Sequence, residues 1–241
     1  MLSPLEPNTP EDLEEISALF EELDSFALVQ QLRAATRHTP SGGRIPLWKE
    51  YRAYSGIKDD GRRSERLTTG PLAGSAGVAG QQVFINEETG ALHLFVCFGP
   101  ATCGWPDTVH GGAISTICDE ALGRVAIRSF EGRTGVTANL EVNFKEKVQP
   151  GLWYVLVAAP LEPPDEETGK RKRVVDGVLC CASETSPRLD EGSSVPPSLR
   201  KGVADPTSGT MSLLDTHIHV TCRALFVAPK NVPLAPIPSE F

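Results

Sequence analysis

Long apolar runs are missing from this chain of 241 residues: no segment approaches the ~20 consecutive apolar residues that span a bilayer, so no membrane-spanning helix is expected. The amino terminus is acidic. It carries neither a basic stretch followed by an apolar one nor the Arg-rich, acid-poor character of a transit peptide, and Ser239-Glu240-Phe241 is not a standard address signal. A cytoplasmic setting is the resulting expectation. Positive charge is also in deficit, with 23 Lys+Arg against 31 Asp+Glu and a formal charge of -8, a balance that repels a phosphate backbone and speaks against nucleic acid as a partner. The one dense basic run, Lys170 to Arg173, falls between a turn and a strand, where such residues make a solvated edge.

Several kinds of chemistry lack their residues. There is no CxxC, and His217 and His219 share a strand face without a third ligand, so no metal site is expected. The six cysteines, at 97, 103, 118, 180, 181 and 222, are expected to be reduced and mostly buried. No GxSxG elbow is present, and the glycine-rich Gly70 to Gly80 lacks the lysine and spacing of a phosphate loop. No internal repeat stands out.

What remains is a composition able to build a sizeable core, 40% hydrophobic and 22% charged. Thr9-Pro10-Glu11-Asp12 reads as a helix start, with a capping hydroxyl, proline in the first turn and acids at the positive dipole end. Leu13, Ile16, Leu19, Phe20, Leu23, Ala27 and Leu28 follow at helical spacing. Residues 41–80 are broken by Gly, Pro and charge and read as an irregular linker with short elements. Gln82 to Ile85 and Leu92 to Phe98 form a hairpin across Asn86–Gly90, in which Leu92, Leu94, Val96 and Phe98 share one face and His93, Phe95 and Cys97 the other, making His93 an ordinary half-buried histidine. Ala113 to Ser129 keeps helical spacing through Ile114, Ile117, Cys118, Ala121, Leu122 and Val125, which predicts a well-buried helix.

Beyond that helix, Val136, Ala138, Leu140, Val142 and Phe144 alternate with Thr137, Asn139, Glu141 and Asn143, predicting a strand with one packed and one polar face. Leu152 to Ala159 and Arg171 to Ala182 read as a strand pair around a turn at Asp165–Gly169, with Asp176-Gly177 expected to bend the second. Residues 185–212 read as a long insertion, Thr216 to Ala228 as the last strand, and 231–241 as a proline-rich tail. The order predicts an α+β fold: residues 1–80 as an N-terminal helical extension and linker, and residues 81–230 as one domain in which an antiparallel sheet wraps a central helix.

The candidate chemistry sits on that helix. Asp119 follows Gly112 by seven residues, about two turns, so Gly112, Ser115, Thr116, Asp119 and Gly123 form one stripe of small and polar side chains. At the helix start, unpaired N–H groups and the positive dipole end meet two glycines that leave room for a substrate carbonyl, a plausible oxyanion site. By themselves, two glycines ahead of a helix make only a turn, and an acid on a helix is usually a solvated charge. Glu120 is a rival carboxylate, but it lies about 100° around the helix from Asp119.

Resemblance adds to that reading. Val109-His110-Gly111-Gly112-Ala113-Ile114 together with Asp119-Glu120-Ala121-Leu122-Gly123 resembles the His-Gly-Gly signature of the hotdog thioesterase superfamily, in the branch holding phenylacetyl-CoA and long-chain acyl-CoA thioesterases. The similarity runs from about Val83 to Pro150, through Phe98-Gly99-Pro100 and Gly135-Val136-Thr137-Ala138-Asn139-Leu140. It implies a hotdog fold and hydrolysis of an acyl thioester carried by coenzyme A or a carrier phosphopantetheine, with no separate cofactor. It implies that Asp119 activates water or attacks the thioester carbon, that the Gly112 amide and His110 hold the carbonyl oxygen, and that Thr137 orients the water or the carboxylate. Gly111, Ser115, Thr116 and Asn139 would line the substrate. A homodimer is implied, its site built from helix residues and a strand residue of different protomers, and two such dimers can associate further. The alternatives are a non-catalytic acyl-CoA-binding module and a hotdog dehydratase or hydratase.

Overall fold

In the computed structural model, residues 5–54, 66–161, 171–182 and 217–229 are described. The expected turn at 165–169, the insertion at 185–212, the tail at 231–241 and Lys170 lie outside them.

Helix α1 (Pro10–Ser25) starts where the sequence places it, with the Asp12 amide donating to the Thr9 hydroxyl. It ends at Phe26, and a second helix, α2 (Ala27–Ala34), follows at once, so the single apolar run belongs to two helices. Three short strands come next, β1 (Thr36–His38), β2 (Arg44–Pro46) and β3 (Trp48–Arg52). Then come β4 (Val78–Asn86), β5 (Leu92–Phe98), the small β6 (Cys103–Trp105) and β7 (Thr108–Val109), α3 (Gly111–Arg128), β8 (Val136–Phe144), β9 (Trp153–Pro160), β10 (Lys172–Cys181) and β11 (Ile218–Val227).

Seven strands make one antiparallel sheet in the order β3-β4-β5-β9-β10-β11-β8, while β1 pairs with β2 and β6 with β7. The turn between β4 and β5 is held by Asn86, whose side-chain oxygen accepts from the amides of Glu88 and Thr89, and by Gly90 at φ +72°. Asp176-Gly177 does not bend β10. Its pairing with β9 runs unbroken from Val175 to Cys181, and the irregularity against β11 falls at Leu179/Cys180. Gly177 is there for packing, because a Cβ would meet Cys222 Sγ at 2.9 Å and Leu122 at 3.2 Å. Asp176 is buried and takes both oxygens to Arg223 of β11, at 2.6 and 2.9 Å.

The sheet is covered on both faces. On one side α3 sets Ile114, Ile117, Cys118, Ala121, Leu122 and Val125 against Leu94, Val96, Leu156, Val175, Leu179 and Phe226. On the other, Phe20 and Leu23 of α1 and Leu28, Val29 and Leu32 of α2 lie on Phe84, Phe95, Trp153, Val155 and Val178. Central strands between two layers bury both sets of side chains, which is why β4 and β5 are buried along their whole length. His93 is therefore fully buried rather than half-buried. It meets the edge of the Trp48 ring at 4.9 Å, and burial pulls its pKa down to about 4. The α1 layer is pinned through buried Asp12, which accepts from the amides of Ser75 (2.7 Å) and Asn8 (2.8 Å), and through Trp153 Nε1, which donates to the Leu19 carbonyl.

All six cysteines are free thiols, and all but the half-buried Cys103 are buried. In the described part of the basic run, Arg173 clamps the sheet to the end of α3 by donating to the Ser129 carbonyl and hydroxyl, and Arg171 donates to the Ala228 carbonyl just past β11. Among the described residues no helix is long and apolar enough to cross a membrane.

Candidate active site

The polar stripe foreseen on α3 emerges from the core as a graded surface. Gly112 is exposed, Ser115, Thr116 and Asp119 are half-buried, and Gly123 is buried where Phe226 of β11 approaches within 3.4 Å of where a Cβ would stand. Thr116 turns its hydroxyl back to the Gly112 carbonyl at 3.0 Å.

Asp119 meets Thr137 of β8, whose hydroxyl donates to Asp119 Oδ1 at 2.7 Å. Strict alternation along β8 would prevent this contact, because Leu140 and Val142 face α3 and Thr137 has the opposite parity. The register supplies the reason it forms: Leu225 of β11 pairs with Asn139, but Phe226 pairs with Thr137, leaving Ala138 as an extra residue. That β-bulge turns Thr137 onto the α3 face, where its partner Phe226 also points. Asn139, expected to line the substrate, pairs with Leu225 on the opposite face and so lies away from Asp119. Thr137 and Asp119 also meet within one chain, whereas the resemblance implied that the helix and strand residues come from different protomers.

At the start of α3, His110 is the cap residue, and its Nδ1 accepts from the Gly112 amide at 2.9 Å. The expected oxyanion donor is thus engaged by its own cap, as first-turn amides usually are, and rotation of the imidazole would release it. Gly111 begins the helix beneath the Phe144 ring, which lies 3.1 Å from the position a Cβ would take.

Glu120 has another task. The Thr68 hydroxyl donates to its Oε1 at 2.7 Å, and the buried Arg124 guanidinium lies 3.8 Å from its Oε2. Arg124 also lies over the Tyr54 ring at 5.0 Å, and the Tyr54 hydroxyl is pushed up to about 12 by burial, against the pull of Arg124 and with a further push from Glu120. This cluster ties α3 to Tyr54 and Thr68 through Glu120.

Beside the helix start is a cleft of about 660 Å³, bounded by the β6–β7 hairpin, the first turn of α3 and residues 144–148. Its walls come from a hairpin tip and a strand end far apart in the chain, so the sequence does not single it out. Trp105 between glycine and proline is the one available signal.

Comparison with known proteins bears on residues 107–162, which match the family model described as Thioesterase superfamily. A Candida albicans (strain WO-1) protein described as uncharacterized and mitochondrial is 33% identical over 97 residues, 40% of this chain and 41% of that one. Acyl-coenzyme A thioesterase THEM4 of Bos taurus is 43% identical over 63 residues, 26% of this chain and 24% of its own length. The chain therefore spans less than half the length of either curated relative. Among solved structures, zebra fish thioesterase superfamily member 2 aligns with a TM-score of 0.42 at 11% identity, over 61% of this chain and 81% of that one. The matched segment holds β7, α3, β8 and β9, so over residues 107–162 this chain is similar to the thioesterase superfamily, and its antiparallel sheet packed on α3 has the arrangement that the resemblance implied.

Proposed function

We propose that this protein hydrolyses acyl thioesters of coenzyme A to the free acid and thiol, with Asp119 as the essential carboxylate. The observation that carries the reading is the 2.7 Å bond from Thr137 to Asp119 Oδ1, obtained through a bulge in a strand that otherwise points this residue the other way. A hydroxyl in that position fixes the carboxylate rotamer and leaves its second oxygen to act on water or on the carbonyl carbon. In the general-base form, the water oxygen bonds to the carbonyl carbon while Asp119 takes its proton. The C–S bond then breaks, and the leaving thiolate takes the proton held by Asp119, which restores the carboxylate. The substrate brings its own carrier, and no separate cofactor takes part.

Helix geometry adds a constraint. Seven residues at ~1.5 Å each separate Gly112 and Asp119 by about 10.5 Å along the axis, too far for one carbonyl to touch both. We therefore place the Gly112 amide and His110 of one protomer opposite Asp119 and Thr137 of another, in a twofold dimer. Strand β8 is the fitting edge: it ends the sheet and is exposed over most of its length, with Val136 47% accessible.

Thiol release from acyl-CoA esters of graded length tests the reaction. Asp119→Asn should keep the fold and lose most turnover, and normal turnover in that variant would refute the mechanism. Binding of acyl-CoA by the wild type without thiol release would favour a binding module instead. The two-protomer arrangement has its own test. Gly112→Pro removes the amide N–H from the first turn and, because a Cβ there stands 2.9 Å from His110 Nδ1, also displaces the histidine of the same half-site. Mixed with Asp119→Asn after joint refolding, it should recover about a quarter of wild-type activity, because half the dimers are mixed and each holds one intact site. Recovery of none would place the whole site in one chain. Cytoplasmic residence remains the expectation, and the mitochondrial name of the Candida relative speaks for the other compartment; subcellular fractionation reads which holds.

A further inference from the structure

We infer that the cleft beside the start of α3 seats the nucleotide end of a coenzyme A thioester, with Trp105 as a stacking face and Lys145 and Lys147 as phosphate partners. This rests on the thioester reading of the neighbouring Gly112 and Asp119 and selects coenzyme A over a carrier protein, which has no nucleotide to offer there.

The floor of the cleft is apolar and buried, made by Val109, Ile114 and Val148. Two aromatic rings stand over it in the open, Trp105 at 78% exposure and Phe144 at 51%. A tryptophan displayed this way on a two-strand hairpin costs solvation and contributes nothing to either core, whereas a flat base laid on it regains contact on a whole π face. The rim carries Lys145 and Lys147, neither ion-paired among the described residues, and between them Glu146, which lines the same cleft 3.7 Å from His217, so the rim holds two cations against one carboxylate. In a chain of net charge -8, two ammonium groups flanking an aromatic cleft favour a phosphorylated ligand over a hydrocarbon, which has no use for them. His110 and Gly111 line the same cleft. A thioester whose carbonyl reaches the next residue, Gly112, can therefore lead its carrier arm straight into it.

Tryptophan fluorescence of the full chain gives the direct test, because Trp48 and Trp153 are buried at 4% and 1% and Trp105 alone is in reach of a solute. Titration with adenosine 3′,5′-bisphosphate should quench the emission saturably in both wild type and Asp119→Asn, and the quench should vanish in Trp105→Phe. Absence of saturable quenching in wild type overturns the inference. Kinetics gives the second test, with matched acyl-CoA and acyl-pantetheine substrates. Trp105→Ala and the Lys145→Ala/Lys147→Ala pair should each raise KM for acyl-CoA about tenfold more than for acyl-pantetheine, the loss expected of one base stack or a pair of phosphate contacts, and Trp105→Phe should recover most of the first. Equal losses on both substrates would make the cleft an acyl pocket, and a change of oligomeric state in Trp105→Ala would make it a subunit contact; either overturns the assignment. Quenching without hydrolysis in the wild type would leave the nucleotide site standing while defeating the catalytic reading, and hydrolysis without quenching would do the reverse.

Discussion

His93 gives the protein a built-in sensitivity to mild acid that can be measured directly. Its ring is 1% exposed, wedged against Trp48 in the layer between the sheet and α1–α2, and Nδ1 finds no hydrogen-bond partner among the described residues. With nothing to receive its charge, burial lowers the pKa from 6.5 to about 4. The unfolded chain therefore binds a proton that the native state refuses between those two values, so stability is complete above about pH 6.5 and falls as the pH drops toward about 4. At pH 5 the unfolded histidine is mostly protonated and the native one mostly neutral, a difference of about 2 kcal/mol relative to pH 7. Urea unfolding at pH 7 and pH 5, on the wild type and on His93→Leu, isolates this contribution, since the acid-sensitive carboxylates are common to both. The wild type should lose about 2 kcal/mol more than the variant between the two pH values. Equal losses would mean that His93 is hydrated or protonated in the folded protein and that the burial argument is wrong.

Removing the Thr137 hydroxyl should cost the candidate site its aligned carboxylate. Thr137→Val is expected to lower kcat by about tenfold to a hundredfold, the equivalent of one charge-assisted hydrogen bond, with Thr137→Ser recovering most of it; an unchanged kcat would separate this threonine from the chemistry. Asp12→Ala strands two amides at the foot of α1 and should destabilise the fold by about 2–3 kcal/mol in urea unfolding. Leu32→Ala, in the centre of the α2 contact, should cost about 2–5 kcal/mol while activity per folded molecule is retained, since that layer lies across the sheet from Asp119.

Local chemistry is readable wherever one short stretch of chain decides the outcome. The Thr9-Pro10 helix start, the Asn86–Gly90 turn and the stripe of Gly112, Ser115, Thr116 and Asp119 all depend on neighbours in sequence, and each stands where its residues put it. The alternation of β8 reveals the strand but misplaces Thr137 and Asn139, because the bulge at Ala138 arises from registry with β11 more than eighty residues later. The depth of His93 is hidden for a similar reason: its burial depends on α1, α2 and Trp48 covering the second face of β5, and nothing within Leu92–Phe98 announces a second layer. Asp176-Gly177, which reads as a bend, needs Arg223 and Cys222 from the neighbouring strand to make sense as a straight segment. The engagement of the Gly112 amide by His110 is the one local feature of the site that the residues alone leave unread, although a histidine directly ahead of a helix can cap it.

The α1–α2 layer has a bearing on how adhesive the back of the sheet can be. A bare sheet back rich in Phe84, Phe95, Val155 and Val178 would adhere to another of its kind, but here those side chains are already roofed by helices of the same polypeptide. Beside that roof the same face carries exposed Arg223, paired to the buried Asp176, with Glu141 alongside, a charged stretch poorly suited to dry contact. A second protein approaching this face would therefore meet helices and charge in place of an apolar sheet.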